Sequence, residues 1–127
     1  MTNIFSLKAE ELVSKIKDSQ LTSVELCERY IERVEKFEKD VKAWAHFDKK
    51  LLLEKAAEAD EYRRSGKPTG PLHGIPVAVK DIVGTVDMPT ECGTVIRKGK
   101  SYSQNAEIID LLLAAGAIVM GKTATAE

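Results

Sequence analysis

The sequence is poor in the residues that build metal sites and disulfide frameworks. Its two cysteines, Cys27 and Cys92, lie far apart without a CxxC motif, and it contains only two histidines. This composition argues against a zinc site and predicts two free thiols in a reducing cytosol. We therefore expect neither a metal nor a cofactor.

The chain also lacks a strong charge of either sign and any long apolar run. Nineteen basic residues against twenty acidic ones leave a net charge of −1, so nothing favours nucleic acid or an anionic membrane as a partner. No segment approaches the roughly 18 apolar residues that cross a bilayer, and the N-terminus lacks a signal-peptide pattern. The sequence predicts a soluble, cytoplasmic protein.

Length and charge distribution suggest one domain with two unlike parts. A chain of 127 residues allows one domain at most. Residues 1–67 are dense in charges of both signs, whereas residues 68–127 are more apolar and richer in glycine. We expect a helical part followed by an α/β part.

Three helices are predicted in the first part. Ser6 is the expected cap of the first, which fades near residues 18–20, and Thr22 with Glu25 forms a capping box for the second. The second helix carries an apolar stripe at helical spacing, made of Cys27, Tyr30, Ile31, Val34, Phe37 and Val41. Its position on that stripe favours Cys27 as a core residue over a nucleophile.

A third helix is predicted from about Asp48 to Arg64, ending before Gly66, where a helix can close. The segment 44–47, with two aromatic residues and a histidine, is predicted as a connection packed between helices.

The segment 70–81, reading GPLHGIPVAVKD, predicts a short strand that ends in Lys80. Prolines and glycines exclude a helix, and Ile75, Val77 and Val79 alternate as in a strand. Pro76 has no N–H to donate, so it belongs at the start of a strand or on a free edge. Lys80 is then either a base in an apolar setting or a solvated lysine that pairs with Asp81 or another carboxylate.

The remaining segments predict a βαβ unit. Residues 83–86 form a second strand or a turn, 87–100 a loop, and Ser103 or Asn105 caps a helix that closes at Gly116. This helix is expected to bury Ile108, Ile109, Leu112 and Leu113. Residues 117–120 are then an apolar strand parallel to the lysine strand.

Several motifs match by letters but not by context. Residues 116–123, GAIVMGKT, fit the GxxxxGKT phosphate loop, yet a helix precedes the first glycine and strand residues fill the gap. VAVK at 77–80 lacks the other kinase motifs, and the S-x-x-K match at 14–17 lies in a charged helix without SDN or KTG. His73, in a turn, is either an acid–base group or, more commonly for such a residue, a partner of the backbone.

Taken together, the segments resemble the amidase signature family. The resemblance rests on GPLHGIPVAVKD at 70–81, T-x-x-G at 90–93 and AEIIDLLLAAGAIVMGKTATAE from 106 to the end. It extends to the N-terminal helices and implies the beginning of an amidase-type mixed sheet covered by helices. It also implies another interpretation of GKT, as the end of a core strand.

The resemblance implies that Lys80 is the base of a Ser, cis-Ser, Lys triad that hydrolyses amides. In the family, both serines and a Gly-Ser-rich oxyanion loop follow the GKT segment, and no such loop occurs in this sequence. The available serines lie in predicted helices, caps or turns, at positions 6, 14, 19, 23, 65, 101 and 103. We expect an N-terminal amidase portion that is inactive alone.

Two further interpretations stay open. The front third of the glutamine-hydrolysing component of tRNA amidotransferases, a family member, looks similar. A stand-alone module that binds a partner through an uncovered sheet is the other. In each case an amide substrate requires the rest of the domain, and exposed strands favour self-association.

Overall fold

A computed structural model describes residues 3–126. Its helices are α1 (Ala9–Lys17), α2 (Ser23–Val41), α3 (Lys49–Arg64) and α4 (Glu107–Ala114), and its strands are β1 (Trp44–His46), β2 (Pro76–Lys80) and β3 (Ile118–Thr123). Short 3-10 turns lie at Ile4–Ser6 and Val95–Arg97. The predicted mixed α/β class is therefore confirmed. No helix among these residues is long and apolar enough to cross a membrane.

The described strands form one mixed sheet in the order β1, β3, β2. β2 pairs with β3 in parallel and α4 connects them, which confirms the predicted parallel unit. β2 is an edge strand, and Pro76 is its first residue, the position where a missing N–H costs least.

The segment 44–47 is not merely a connection, so that prediction is wrong. Trp44–His46 forms β1, which pairs antiparallel with β3. Gly121 of β3 makes this possible, because a Cβ there would lie 2.7 Å from the His46 carbonyl oxygen. Trp44 and Phe47, whose ring centroids are 5.2 Å apart, pack on the core between α2, α3 and the sheet.

The predicted helix starts are right for α2 and α3 and wrong for α1 and α4. Asp48 caps α3 through the Leu51 N–H. α1 begins after Lys8, whose N–H is satisfied by the Glu11 carboxylate, not after Ser6. α4 is preceded by Ala106 rather than Ser103 or Asn105.

The apolar faces of α2 and α4 are less buried than predicted. Cys27 and Ile31 are core residues, but Phe37 and Val41 at the end of α2 are exposed. In α4, Ile109 is buried and Leu112 half-buried, whereas Ile108 and Leu113 are exposed. Helical periodicity locates an apolar stripe but does not say how far the covering elements reach.

Two segment predictions near the sheet are settled by the structure. Residues 83–86 adopt the turn rather than the strand, and 87–100 is loop apart from the 3-10 turn. β3 starts at Ile118 and runs past the predicted end at Met120 through Thr123. GKT thus belongs to a core strand, as the family resemblance implied.

The start of α2 is joined to distant parts of the chain. The buried carboxylate of Asp60 in α3 accepts hydrogen bonds from the backbone N–H groups of Ser23 (2.8 Å) and Val24 (3.0 Å). The hydroxyl of Ser23 donates to the Gly74 carbonyl at 2.7 Å. The predicted capping box supplies the local half of the cap, since Glu25 N–H donates to Thr22 Oγ1.

Candidate functional site

Lys80 is the last residue of β2, and its side chain is exposed. It lies at the carboxyl end of a parallel strand pair, the end at which open α/β sheets place their ligands. Its neighbours Val79 and Asp81 are buried, because successive side chains of a strand point to opposite faces. The primary amine is therefore accessible to a second group at the sheet edge.

Asp81 does not pair with Lys80, as one interpretation suggested. It faces Lys122 of β3, whose Nζ lies 3.9 Å from Asp81 Oδ1. The Lys122 side chain is completely buried, and the Asp81 side chain is only 3% exposed. Lys122 Nζ also donates to Thr90 Oγ1 at 2.6 Å and to the Pro89 carbonyl at 3.2 Å.

Together, the two charged side chains anchor the loop that follows β2. Lys122 binds Pro89 and Thr90, while both Asp81 carboxylate oxygens accept from the Glu91 N–H at 3.2 and 3.3 Å. The Asp81 carbonyl accepts from the next N–H, at residue 92, at 2.9 Å. Four consecutive loop residues are thus fixed to the ends of β2 and β3.

Sequence analysis missed Lys122. Burial lowers the pKa of its ammonium group below the ordinary value of 10.5, and the negative charge of Asp81, more than those of Asp87 and Cys92, counteracts that shift. The available signal was a lysine and an aspartate at the corresponding ends of two apolar strands predicted to be parallel.

The T-x-x-G stretch closes against the C-terminal residues. Cys92 and Gly93 both have left-handed backbones, with φ of 54° and 71°. A Cβ at Gly93 would lie 2.7 Å from the Thr125 carbonyl oxygen. Glycine at this position therefore allows the loop to lie directly on the segment after β3.

His73 has the structural role that was weighed against a catalytic one. It is buried, and its Nε2 is 2.8 Å from the Ala59 carbonyl oxygen. Its ring also lies 5.6 Å from that of Tyr62. These contacts hold the entry of the lysine segment against α3.

Cys27 is a core residue, as predicted, and both cysteines are free thiols. Burial raises the pKa of the Cys27 thiol from 9.0 to about 12, against the opposing effect of a hydrogen bond with Ser23. Among residues 3–126, no group of histidine, cysteine and acidic side chains is arranged to hold a metal ion.

The raised pKa of Cys27 makes stability fall at alkaline pH. Above pH 9.0 the unfolded chain loses the thiol proton while the folded chain keeps it until about pH 12. Within that window the free energy of unfolding is expected to fall by up to about 1.4 kcal/mol per pH unit. Urea titrations at pH 8, 9 and 10 measure the slope.

Cys27→Ala is expected to remove this contribution, and Cys92→Ala serves as the matched control that retains it. Equal alkaline slopes in the wild type and Cys27→Ala would contradict the assignment.

Comparison with known proteins gives a consistent family. The family model described as Amidase matches residues 25–127. In Streptomyces coelicolor, the A-type component of glutamyl-tRNA(Gln) amidotransferase is 37% identical over 123 residues, which are 97% of this chain and 25% of that protein. The chain thus spans about a quarter of the length of the curated relatives it matches.

Solved structures agree with this match. The peptide amidase of Stenotrophomonas maltophilia superposes with a TM-score of 0.86 at 30% identity, covering 93% of this chain and 24% of that one. An amidase family protein from Bacillus anthracis gives 0.83 at 31% identity, covering 94% and 24%. By sequence and by fold, the chain belongs to the amidase family.

Proposed function

We propose that this chain supplies the lysine-bearing part of an amide-hydrolysing site, with Lys80 as its base. The observation that carries the proposal is the accessible amine of Lys80 at the carboxyl end of an edge strand, in a chain of the amidase family. In the resembled mechanism, neutral lysine takes a proton through a cis-serine while a second serine attacks the amide carbonyl. Water then releases the acyl group.

In this proposal, the two serines and the oxyanion donors come from polypeptide outside these 127 residues. Ser23 is buried at the start of α2 and binds Gly74, and Ser14 lies within α1. The other serines flank helices or lie in loops. A base without nucleophile and oxyanion donors retains little catalytic power, so the isolated chain is expected not to hydrolyse amides.

The test is a chimera. The part of the Stenotrophomonas maltophilia peptide amidase that matches this chain is replaced by residues 1–127, and hydrolysis of a peptide amide is measured alongside the isolated chain. We expect turnover by the chimera and none by the chain alone. A chimera that melts cooperatively but does not turn over the amide would contradict the proposal.

A smaller exchange keeps the test decisive if the first chimera does not fold. Replacing only the part that matches residues 68–123 retains Lys80, β2 and β3 while leaving the host helices in place. Turnover by the isolated chain that disappears in Lys80→Ala would contradict the expected inactivity.

A second candidate is the front part of the glutamine-hydrolysing component of a tRNA-dependent amidotransferase. It is favoured by the curated relatives, which are named as components of glutamyl-tRNA(Gln) amidotransferase and are 34–37% identical. A parallel chimera with the Streptomyces coelicolor protein, assayed for glutamine hydrolysis, distinguishes it. Activity in this chimera but not in the peptide amidase chimera favours the amidotransferase.

The stand-alone interaction module is the third candidate. An apolar groove lies beside the sheet, lined by Trp44, Pro76, Ala78 and Met120, with exposed Phe37 and Val41 at α2. This uncovered surface would suit a protein partner or a second copy. A coding segment resembling GGSSGGS downstream of the Glu127 codon favours the amidase portion, and its absence favours the module.

A further inference from the structure

The pairing of β2 with β3 contains an irregularity just before Lys80. Val77 lies opposite Val119, but the next residue, Ala78, lies opposite Gly121. Met120 therefore has no partner in β2, and the register is set anew for the last three residues of the strand. Because side chains alternate, a slip of one residue would turn Lys80 from the open face to the buried one.

Apolar burial discriminates poorly between these two registers. Residues 77–79 of β2 are all apolar, and so are residues 118–120 of β3. A shifted strand would exchange one small or branched apolar side chain for another. The register must depend on a feature at the strand ends.

The buried pair of Lys122 and Asp81 is such a feature. In the observed register Val79 lies opposite Lys122, Lys80 opposite Thr123, and Asp81 N–H donates to the Thr123 carbonyl at 3.0 Å. In the shifted register the ammonium group of Lys80 would face that of Lys122 inside the protein. Two unpaired like charges in a buried site are strongly unfavourable.

We propose that Lys122 is a positioning residue for Lys80: by pairing with Asp81 it fixes the register of β2 beyond the irregularity and keeps Lys80 on the open face. The use of Lys80 as a base rests on the proposed function, but the register argument does not. Buried polar pairs can select one register among apolar alternatives at a cost in stability. The loop contacts to Pro89 and Thr90 add to the selection because they hold Lys122 in one orientation.

The experiment compares the full chain with Lys122→Met/Asp81→Asn, which removes both charges but leaves an acceptor for the Glu91 N–H. Hydrogen exchange by NMR gives the protection of the Asp81 amide relative to that of Leu26, whose N–H bonds within α2. A general loss of stability lowers both amides alike, whereas loss of register lowers Asp81 selectively. We expect the Asp81-to-Leu26 ratio to fall by about tenfold or more.

The position of the Lys80 side chain is followed in the same samples. Reductive ¹³C-methylation labels the lysines, and Lys80→Arg assigns the Lys80 signal. In the double variant we expect this signal to move or to split. A Lys80 signal that stays in place, together with a protection ratio within about twofold of the wild type, would overturn the inference.

Two further variants complete the test. Lys49→Met/Glu35→Gln neutralises an exposed pair 2.8 Å apart and is expected to leave both readouts unchanged. If the double variant does not fold, Thr90→Val removes only the hydroxyl acceptor of Lys122 and is expected to shift the ratio in the same direction. An unchanged ratio in Thr90→Val would then overturn the inference.

Neither readout involves amide turnover. An inactive chimera would remove the proposed function and leave the register result standing. An unaltered Lys80 signal would remove the positioning role and leave Lys80 as the proposed base.

Discussion

Lys80→Ala is expected to lower kcat/KM for peptide amide hydrolysis in the active chimera by about 10³-fold or more, since one group of a catalytic unit is removed. Alanine keeps the backbone, and the lysine side chain is exposed, so the fold should persist. The loss should lie mainly in kcat, because the base acts on bound substrate and contributes little to binding. Steady-state kinetics at several substrate concentrations separate the two constants.

The matched control is Lys98→Ala. Lys98 is also exposed and follows the 3-10 turn in the loop beyond β2, so its removal changes net charge equally. We expect kcat/KM within about twofold of the parent chimera, as for surface substitutions away from a site. A Lys80→Ala chimera that melts normally and retains more than a tenth of the activity would refute the assignment of the base.

Lys122→Met is expected to lower the free energy of unfolding by about 3–5 kcal/mol, the cost of leaving one partner of a buried ion pair alone. Methionine has a similar length and leaves little empty space. The Asp81 carboxylate, 3% exposed, would lose its counter-ion, and Thr90 and Pro89 would lose the ammonium donor. A loss of this size is a large share of the roughly 5–15 kcal/mol that stabilises a typical domain.

Urea denaturation followed by circular dichroism measures the difference. Lys49→Met is the control, because Lys49 and Glu35 form an exposed ion pair of the kind that contributes about 0–1 kcal/mol. If Lys122→Met and Lys49→Met cost the same, the pair of Lys122 and Asp81 does not have the energetic role its burial indicates.

Local signals made much of the helical part predictable. The capping box of Thr22 and Glu25 and the cap at Asp48 each involve residues three positions apart, so the sequence alone contains both partners. Pro76 could be placed at a strand start because its missing N–H excludes other positions. The family resemblance, rather than any local signal, singled out Lys80.

What remained unpredicted depends on partners far apart in the chain. β1 is three residues long and becomes a strand only because β3, close to the other end of the chain, pairs with it. Lys122 ends an apolar segment, and nothing within that segment shows that Asp81 and the loop after β2 will enclose it. The exposure of Phe37 and Ile108 likewise depends on how far neighbouring elements extend.

The start of α2 has a consequence for the order of folding. Its first N–H groups are completed by a carboxylate 37 residues away, and the hydroxyl of Ser23 binds a carbonyl 51 residues away. The entropy of closing these loops must be spent before the contacts form. The helix gains full stability only after α3 and the segment leading into β2 have docked, so the charged front and the apolar remainder of the chain are kinetically interdependent.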